Sequence, residues 1–127
     1  MTLSAGFLGC GFMGKAHASA LSKLPMWCPD APAVERSVLV GRTEEAVASA
    51  ADQLGFDRFE TDREAALDDI DVLYNLGPNH VHVEPTVQAL EQDIHVFCEK
   101  PLAPTTSGAE QMATAARGSD ALAGAAF

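Results

Sequence analysis

The sequence predicts a doubly wound α/β fold: one parallel sheet with helices on both faces. Three observations carry this prediction. Six short apolar runs alternate with stretches of helical periodicity. The first run, Leu3 to Leu8, leads into a Gly-rich turn that opens a helix. Most of the runs are nearly continuous in Val, Leu, Ile or Phe, as strands covered on both faces of a parallel sheet must be. The expected strand order is 3-2-1-4-5-6, joined by right-handed crossovers.

The 127 residues allow one domain with a proper core. Their 47% hydrophobic content is ordinary for a globular chain. No apolar run reaches the length of about 18 residues that a membrane span needs, and no signal peptide is read at the N-terminus. Cys10, Cys28 and Cys98 are odd in number and scattered. They fit reduced thiols of the cytoplasm and suggest neither a disulfide frame nor a zinc site. A net charge of −10 argues against nucleic acid as a partner. It does not exclude a small anionic ligand, because charges farther than about 8 Å are largely screened. The local cationic groups are a helix start, Lys15, Arg42 and Lys100.

The first strand, Thr2 to Leu8, ends in Gly9-Cys10-Gly11-Phe12-Met13-Gly14. This is G-x-G-x-x-G in a strand–turn–helix setting, the pattern of a dinucleotide site. Gly9 permits a sharp turn, Gly11 lets a pyrophosphate approach the backbone, and Gly14 lets the helix pack close to the strand. Amides at the helix start, with its positive dipole end, would hold the phosphates. The helix is expected from Phe12 to Leu24, stopping before Pro25. His17 within it reads as a packing or surface histidine, since it has no partner nearby in sequence. Pro25 to Pro32 reads as a loop, with Trp27 packed on its own domain in preference to capping an adenine pocket.

Ser37 to Val40 is the second strand, ending at Gly41-Arg42-Thr43. Thr43 is a plausible N-cap for a helix that carries Glu44 and Glu45 in its first turn and stops at Gly55. In dinucleotide folds this strand tip usually holds an acid for the ribose hydroxyls, about 20 residues past the glycines. Here the position is 27 residues beyond Gly14 and holds Gly41. No carboxylate is present to repel a 2′-phosphate, and Arg42 is adjacent, so NADP is favoured over NAD. Glu44 and Glu45 weigh the other way.

Arg58 to Thr61 reads as a third strand and Asp62 to Leu67 as a short helix. Asp68-Asp69-Ile70-Asp71 reads as a solvated turn before the fourth strand, Val72 to Leu76. Gly77-Pro78-Asn79 breaks the chain, and a helix from His80 to Gln92 follows. His80 and His82 are two apart and face different ways, so they do not suggest a metal pair; each is placed to meet a ligand at the sheet edge. The fifth strand, Ile94 to Cys98, runs into Glu99-Lys100-Pro101. That charged pair should neutralise itself, meet a ligand or reach water. A helix from Thr106 to Arg117, with Gly118 as its C′ glycine, and a sixth strand from Ala121 to Phe127 complete the chain.

In this order, the glycine turn, Pro78-Asn79-His80-Val81-His82 and Glu99-Lys100-Pro101 resemble the N-terminal domain of the glucose-fructose oxidoreductase, inositol dehydrogenase and rhizopine-catabolism (Gfo/Idh/MocA) proteins. The likeness covers nearly the whole chain. It implies an NAD(P)-binding Rossmann fold and hydride transfer between a nicotinamide cofactor, NADP or NAD, and a hydroxyl carbon of a sugar, inositol or related polyol. By the same likeness Lys100 polarises or deprotonates the reacting hydroxyl. Glu99 holds a cofactor ribose or orients the lysine. Leu76, Gly77, Pro78 and Asn79, with His82 behind them, line the nicotinamide half, and the turn at Pro101 accommodates a cis peptide. Asp93 stands where the family usually has glycine, a position Asp tolerates. Asn75, polar inside a strand, needs a partner.

Family members carry a second α/β domain with most of the substrate pocket. Without it, residues 1–127 are expected to bind cofactor, turn over little, and self-associate through uncovered apolar surface. A stand-alone nucleotide-binding or sensory module shares the glycine turn but leaves Lys100 idle. A methyltransferase with an adenosyl cofactor gives no reason for Glu99-Lys100-Pro101.

Overall fold

The computed structural model describes residues 1–127. Six strands form one parallel sheet: β1 (Thr2–Leu8), β2 (Ala33–Val40), β3 (Arg58–Glu60), β4 (Val72–Asn75), β5 (His95–Glu99) and β6 (Ala123–Ala126), in the expected order β3-β2-β1-β4-β5-β6. The helices are α1 (Phe12–Trp27), α2 (Glu44–Leu54), α3 (Arg63–Leu67), α4 (Val83–Glu91) and α5 (Thr106–Arg117), with a 3-10 turn at Asn79–Val81. Strand alternation splits the core. Phe7 and Leu39 pack with Ala18, Val47 and Ala51 under α1 and α2. Val38, Leu73, Val96 and Cys98 pack with Ala66, Leu90 and Met112 under α3, α4 and α5.

Three boundaries differ from the sequence reading by three residues or more. Helix α1 continues through Pro25 to Trp27. Proline's own φ is helical, so only the bond to Leu21 is forfeited, and the Cys28 amide still closes the last turn on the Leu24 carbonyl at 2.8 Å. Strand β2 begins at Ala33 instead of Ser37. Its first residues, where Glu35 and Arg36 stand, lie at the less buried end of the sheet and lack the apolar signature. The expected helix at His80 starts as the 3-10 turn, and α4 proper begins at Val83. In addition, Gly118 caps α5 at φ −88°, without a left-handed conformation.

The amino ends of the strands are tied by side chains. The Ser4 amide and hydroxyl donate to the Asp71 carboxylate at 2.8 and 2.9 Å. Asp93 takes the left-handed conformation, φ 56°. Its carboxylate accepts from the Ser119 hydroxyl at 3.0 Å and the Asp120 amide at 2.9 Å, two bonds that a glycine would lack. The Leu122 amide donates to His95 Nδ1 at 2.9 Å. Asp71 thus anchors part of the acidic turn, and Asp69 lies 3.7 Å from Arg58.

Candidate functional site

At the carboxyl edge, the ladder continues past the strand ends. Gly9 N–H donates to Val40, Gly41 N–H to Glu60 and Leu76 N–H to Leu8, all at 2.9–3.1 Å. These bonds bring three loops to one rim: Gly9–Gly14, Gly41–Thr43 and Leu76–Asn79. Because β5 is parallel to them, Glu99-Lys100-Pro101 leaves at the same rim. Two inter-strand spacings, about 10 Å, separate β1 from β5.

The glycine turn is built as its sequence requires. Gly9 has φ +106°, and a Cβ there would lie 2.8 Å from the Leu76 carbonyl oxygen. A Cβ on Gly14 would lie 2.7 Å from the Gly9 carbonyl oxygen, so α1 seats directly on the turn. In front of Gly11 there is open space. The first turn of α1 has neither a side-chain cap nor an acidic residue, leaving its amides free. An uncapped helix start facing a cradle that a side chain would fill fits a diphosphate. Phe12 is 82% exposed beside it, and Met13 is partly exposed.

At the β2 tip a Cβ on Gly41 would come within 3.0 Å of Val47, and the Cys10 thiol lies 3.8 Å from the same point. The tight approach of α2 therefore leaves the tip bare. Arg42 and Thr43 are exposed, and the Thr43 hydroxyl makes no capping bond despite its N-cap position. Lys15, by contrast, lines an open groove of about 370 Å³ between α1 and α2, with Arg36 and Asp52, on the flank of the domain. Trp27 is 76% exposed at the far end of α1, about 22 Å from the helix start. It neither packs on the domain nor reaches the rim. His80 is exposed in the 3-10 turn.

His82 is only 1% exposed. Its Nε2 lies 2.8 Å from the Gly77 carbonyl oxygen and its Nδ1 lies 2.7 Å from that of Pro101. The ring therefore joins two rim loops from behind. Carbonyl oxygens only accept, so the ring nitrogen that carries the proton is the donor. Gly77 sits tightly there as well, since a Cβ would lie 2.7 Å from Val81. Asn75, fully buried, donates from Nδ2 to the His82 carbonyl at 3.0 Å and to the Thr86 hydroxyl oxygen at 3.1 Å. The partner that its sequence position demanded is thus α4 and the turn before it.

The Glu99 and Lys100 side chains form no ion pair with each other. Glu99 ends β5, 7% exposed, and its Oε2 accepts from the Lys100 backbone amide at 2.9 Å. Oε1 lies 3.2 Å from His17 Nε2. Burial pushes the Glu99 carboxyl up, but the bonds from His17 and the Lys100 amide, with the nearby charges, outweigh it and hold the group below its ordinary range. Lys100 reaches water, and the Lys100–Pro101 peptide is cis. His17 also meets Tyr74 and Phe97 edge-on, with ring centroids 5.9 and 5.6 Å away. Its packing role was legible in the sequence. Its carboxylate partner, 82 residues away, was not; a helical histidine facing a strand that ends in Glu is the one available signal.

A family model described as "Oxidoreductase family, NAD-binding Rossmann fold" (GFO_IDH_MocA) matches residues 3–127. The chain belongs to this family. Levoglucosan dehydrogenase of Pseudarthrobacter phenanthrenivorans is 40% identical over 113 residues, 87% of this chain and 29% of the relative. A D-xylose 1-dehydrogenase (NADP(+)) of Haloferax volcanii is 31% identical over 105 residues, 81% of this chain and 31% of that protein. Among solved structures, a levoglucosan dehydrogenase complex with NADH and levoglucosan superposes with a TM-score of 0.97 at 35% identity, covering all of this chain and 35% of the other. The chain thus spans about a third of the length of these relatives. No helix is long and apolar enough to cross a membrane, and no group of three or more His, Cys, Asp or Glu side chains is placed to hold a metal ion.

Proposed function

We propose that residues 1–127 bind a nicotinamide dinucleotide and furnish the reacting lysine of a sugar or polyol dehydrogenase. The observation that carries this reading is one shared rim: an uncapped helix start over an open glycine cradle, with Lys100 leaving the same edge two strands away. The dinucleotide, when bound, supplies the hydride acceptor or donor. Gly9 to Gly14 hold the diphosphate, and Leu76, Gly77, Pro78 and Asn79 border the nicotinamide half. The Lys100 ammonium stabilises charge developing on the substrate oxygen and exchanges its proton. The levoglucosan dehydrogenase complex and the D-xylose dehydrogenase support a sugar or polyol as the substrate class.

Cofactor preference follows from the bare β2 tip. Gly41, Arg42 and Thr43 leave room and positive charge for a 2′-phosphate, which favours NADP; the relative solved with NADH binds NAD chemistry as well. Self-association belongs to the same reading, supported by adjacent exposed Met26 and Trp27, and sedimentation velocity tests it.

Thermal shift with NADPH, NADH and ADP-ribose is the direct test. Ligand at a hundred times its Kd adds about 2.7 kcal/mol of stability. Gly11→Val fills the cradle where nothing else is touched, so it should keep its Tm and lose the ligand response. Gly41→Asp should lower NADPH affinity relative to NADH. A Gly11→Val variant that still responds fully would place the dinucleotide elsewhere.

A further inference from the structure

Helix α1 begins at the cradle, and strand β5 ends at the lysine. One side-chain hydrogen bond joins them directly. His17, one turn inside α1, reaches Glu99 Oε1 at 3.2 Å, and Glu99 Oε2 holds the Lys100 amide at 2.9 Å. The pair is sheltered, with side-chain exposures of 18% and 10%. Tyr74 and Phe97 wall in the imidazole, and their own rings are 5.8 Å apart. A carboxylate in such a place needs its hydrogen bonds, because a buried charge without partners is costly. Only two donors are in reach, and both are used.

Left alone, the Glu99 side chain would turn outward to water, and the Lys100 amide would lose its acceptor. The strand exit would then relax at the residue whose ammonium must be aimed. We infer that His17 is a positioning residue: by holding the Glu99 carboxylate it fixes the Lys100 backbone, and so ties the helix of the glycine turn to the strand bearing the lysine. The consequence for Lys100 chemistry rests on the function proposed above. The backbone link does not.

The test separates the hydrogen bond from the ring packing. His17→Phe keeps a ring between Tyr74 and Phe97 but has no donor. His17→Gln places an amide donor near the position of Nε2 and gives up the ring. The probe is the Lys100 amide in the ¹⁵N-labelled chain, read by chemical shift and hydrogen exchange without any dinucleotide. In His17→Phe its resonance should move upfield, and its exchange should accelerate by about tenfold or more, the loss of one charge-assisted bond. In His17→Gln both should stay close to wild type. His17→Leu, which also lacks a donor and is close to histidine in volume, provides the same reading should His17→Phe fail to fold; its Lys100 amide should shift and exchange faster. The inference is overturned if the Lys100 amide is unmoved in His17→Phe or in His17→Leu, or if Gln at residue 17 behaves as Phe does.

Discussion

His82→Leu is the sharpest perturbation of the rim that leaves its volume nearly unchanged. Leucine is close to histidine in volume, so the slot stays filled, yet the ring N–H donor disappears. The Gly77 and Pro101 carbonyl oxygens, now 2.8 and 2.7 Å from the ring, lose their partner together. A buried acceptor left unmade costs about 1–3 kcal/mol. A neutral ring holds one N–H, so the loss of one part-buried bond sets the scale, about 1–3 kcal/mol. Against the 5–15 kcal/mol of a typical domain this is a large loss. With a urea m-value of about 2 kcal/mol/M, the midpoint should fall by about 0.5–1.5 M. Urea unfolding followed by far-UV circular dichroism measures it; Trp27 is too exposed to report well. A midpoint within about 0.2 M of wild type would refute the idea that the imidazole joins the two loops.

Other consequences are as specific. Gly14→Ala puts a methyl group against the Gly9 carbonyl oxygen, where its ideal position is 2.7 Å away; a loss of about 1–3 kcal/mol is expected in urea unfolding, with weaker dinucleotide binding. The Asp71 carboxyl is held below its ordinary range by the Ser4 amide first and the Ser4 hydroxyl second, against burial. Its contribution is present above the unfolded carboxylate range and is lost as pH falls through the lower folded value, so below about pH 4. Asp71→Asn should therefore flatten part of the acid limb of a Tm–pH profile, by under about 1 kcal/mol since the group is exposed. The Cys98 thiol is pushed up to about 11, chiefly by burial, while Cys28 is exposed. A thiol reagent at neutral pH should label Cys28 at once and Cys98 only as the domain opens. Equal rates at the two would contradict the packing described.

Much of the rim was readable because its chemistry is local. Gly9 to Gly14, Gly77-Pro78 and Glu99-Lys100-Pro101 are each a few consecutive residues whose types fix a turn or an exit. Strand order followed from alternation and crossover rules. What escaped was long-range pairing. His17 showed no partner because Glu99 lies on a strand two positions across the sheet, and only the fold brings them together. The acidic turn looked merely solvated because Ser4, which one of its carboxylates holds, is 67 residues earlier. Pro25 misled for a different reason: a proline near a helix end forfeits one bond, which the next turn tolerates. The first residues of β2 were hidden by Glu35 and Arg36, whose polarity suits their exposed end of the sheet and not a buried strand.

The ties among Ser4 and Asp71, Asp93 and Ser119, and His95 and Leu122 all lie at the floor, away from the glycine cradle. A sheet riveted at one end and looped at the other has its tolerance for change at the open end. Substitutions at Arg42, Thr43, Pro78 or Asn79 fall on exposed residues and leave those rivets untouched. A lineage built on this frame is therefore free to retune which nucleotide it accepts while the foundation stays as it is.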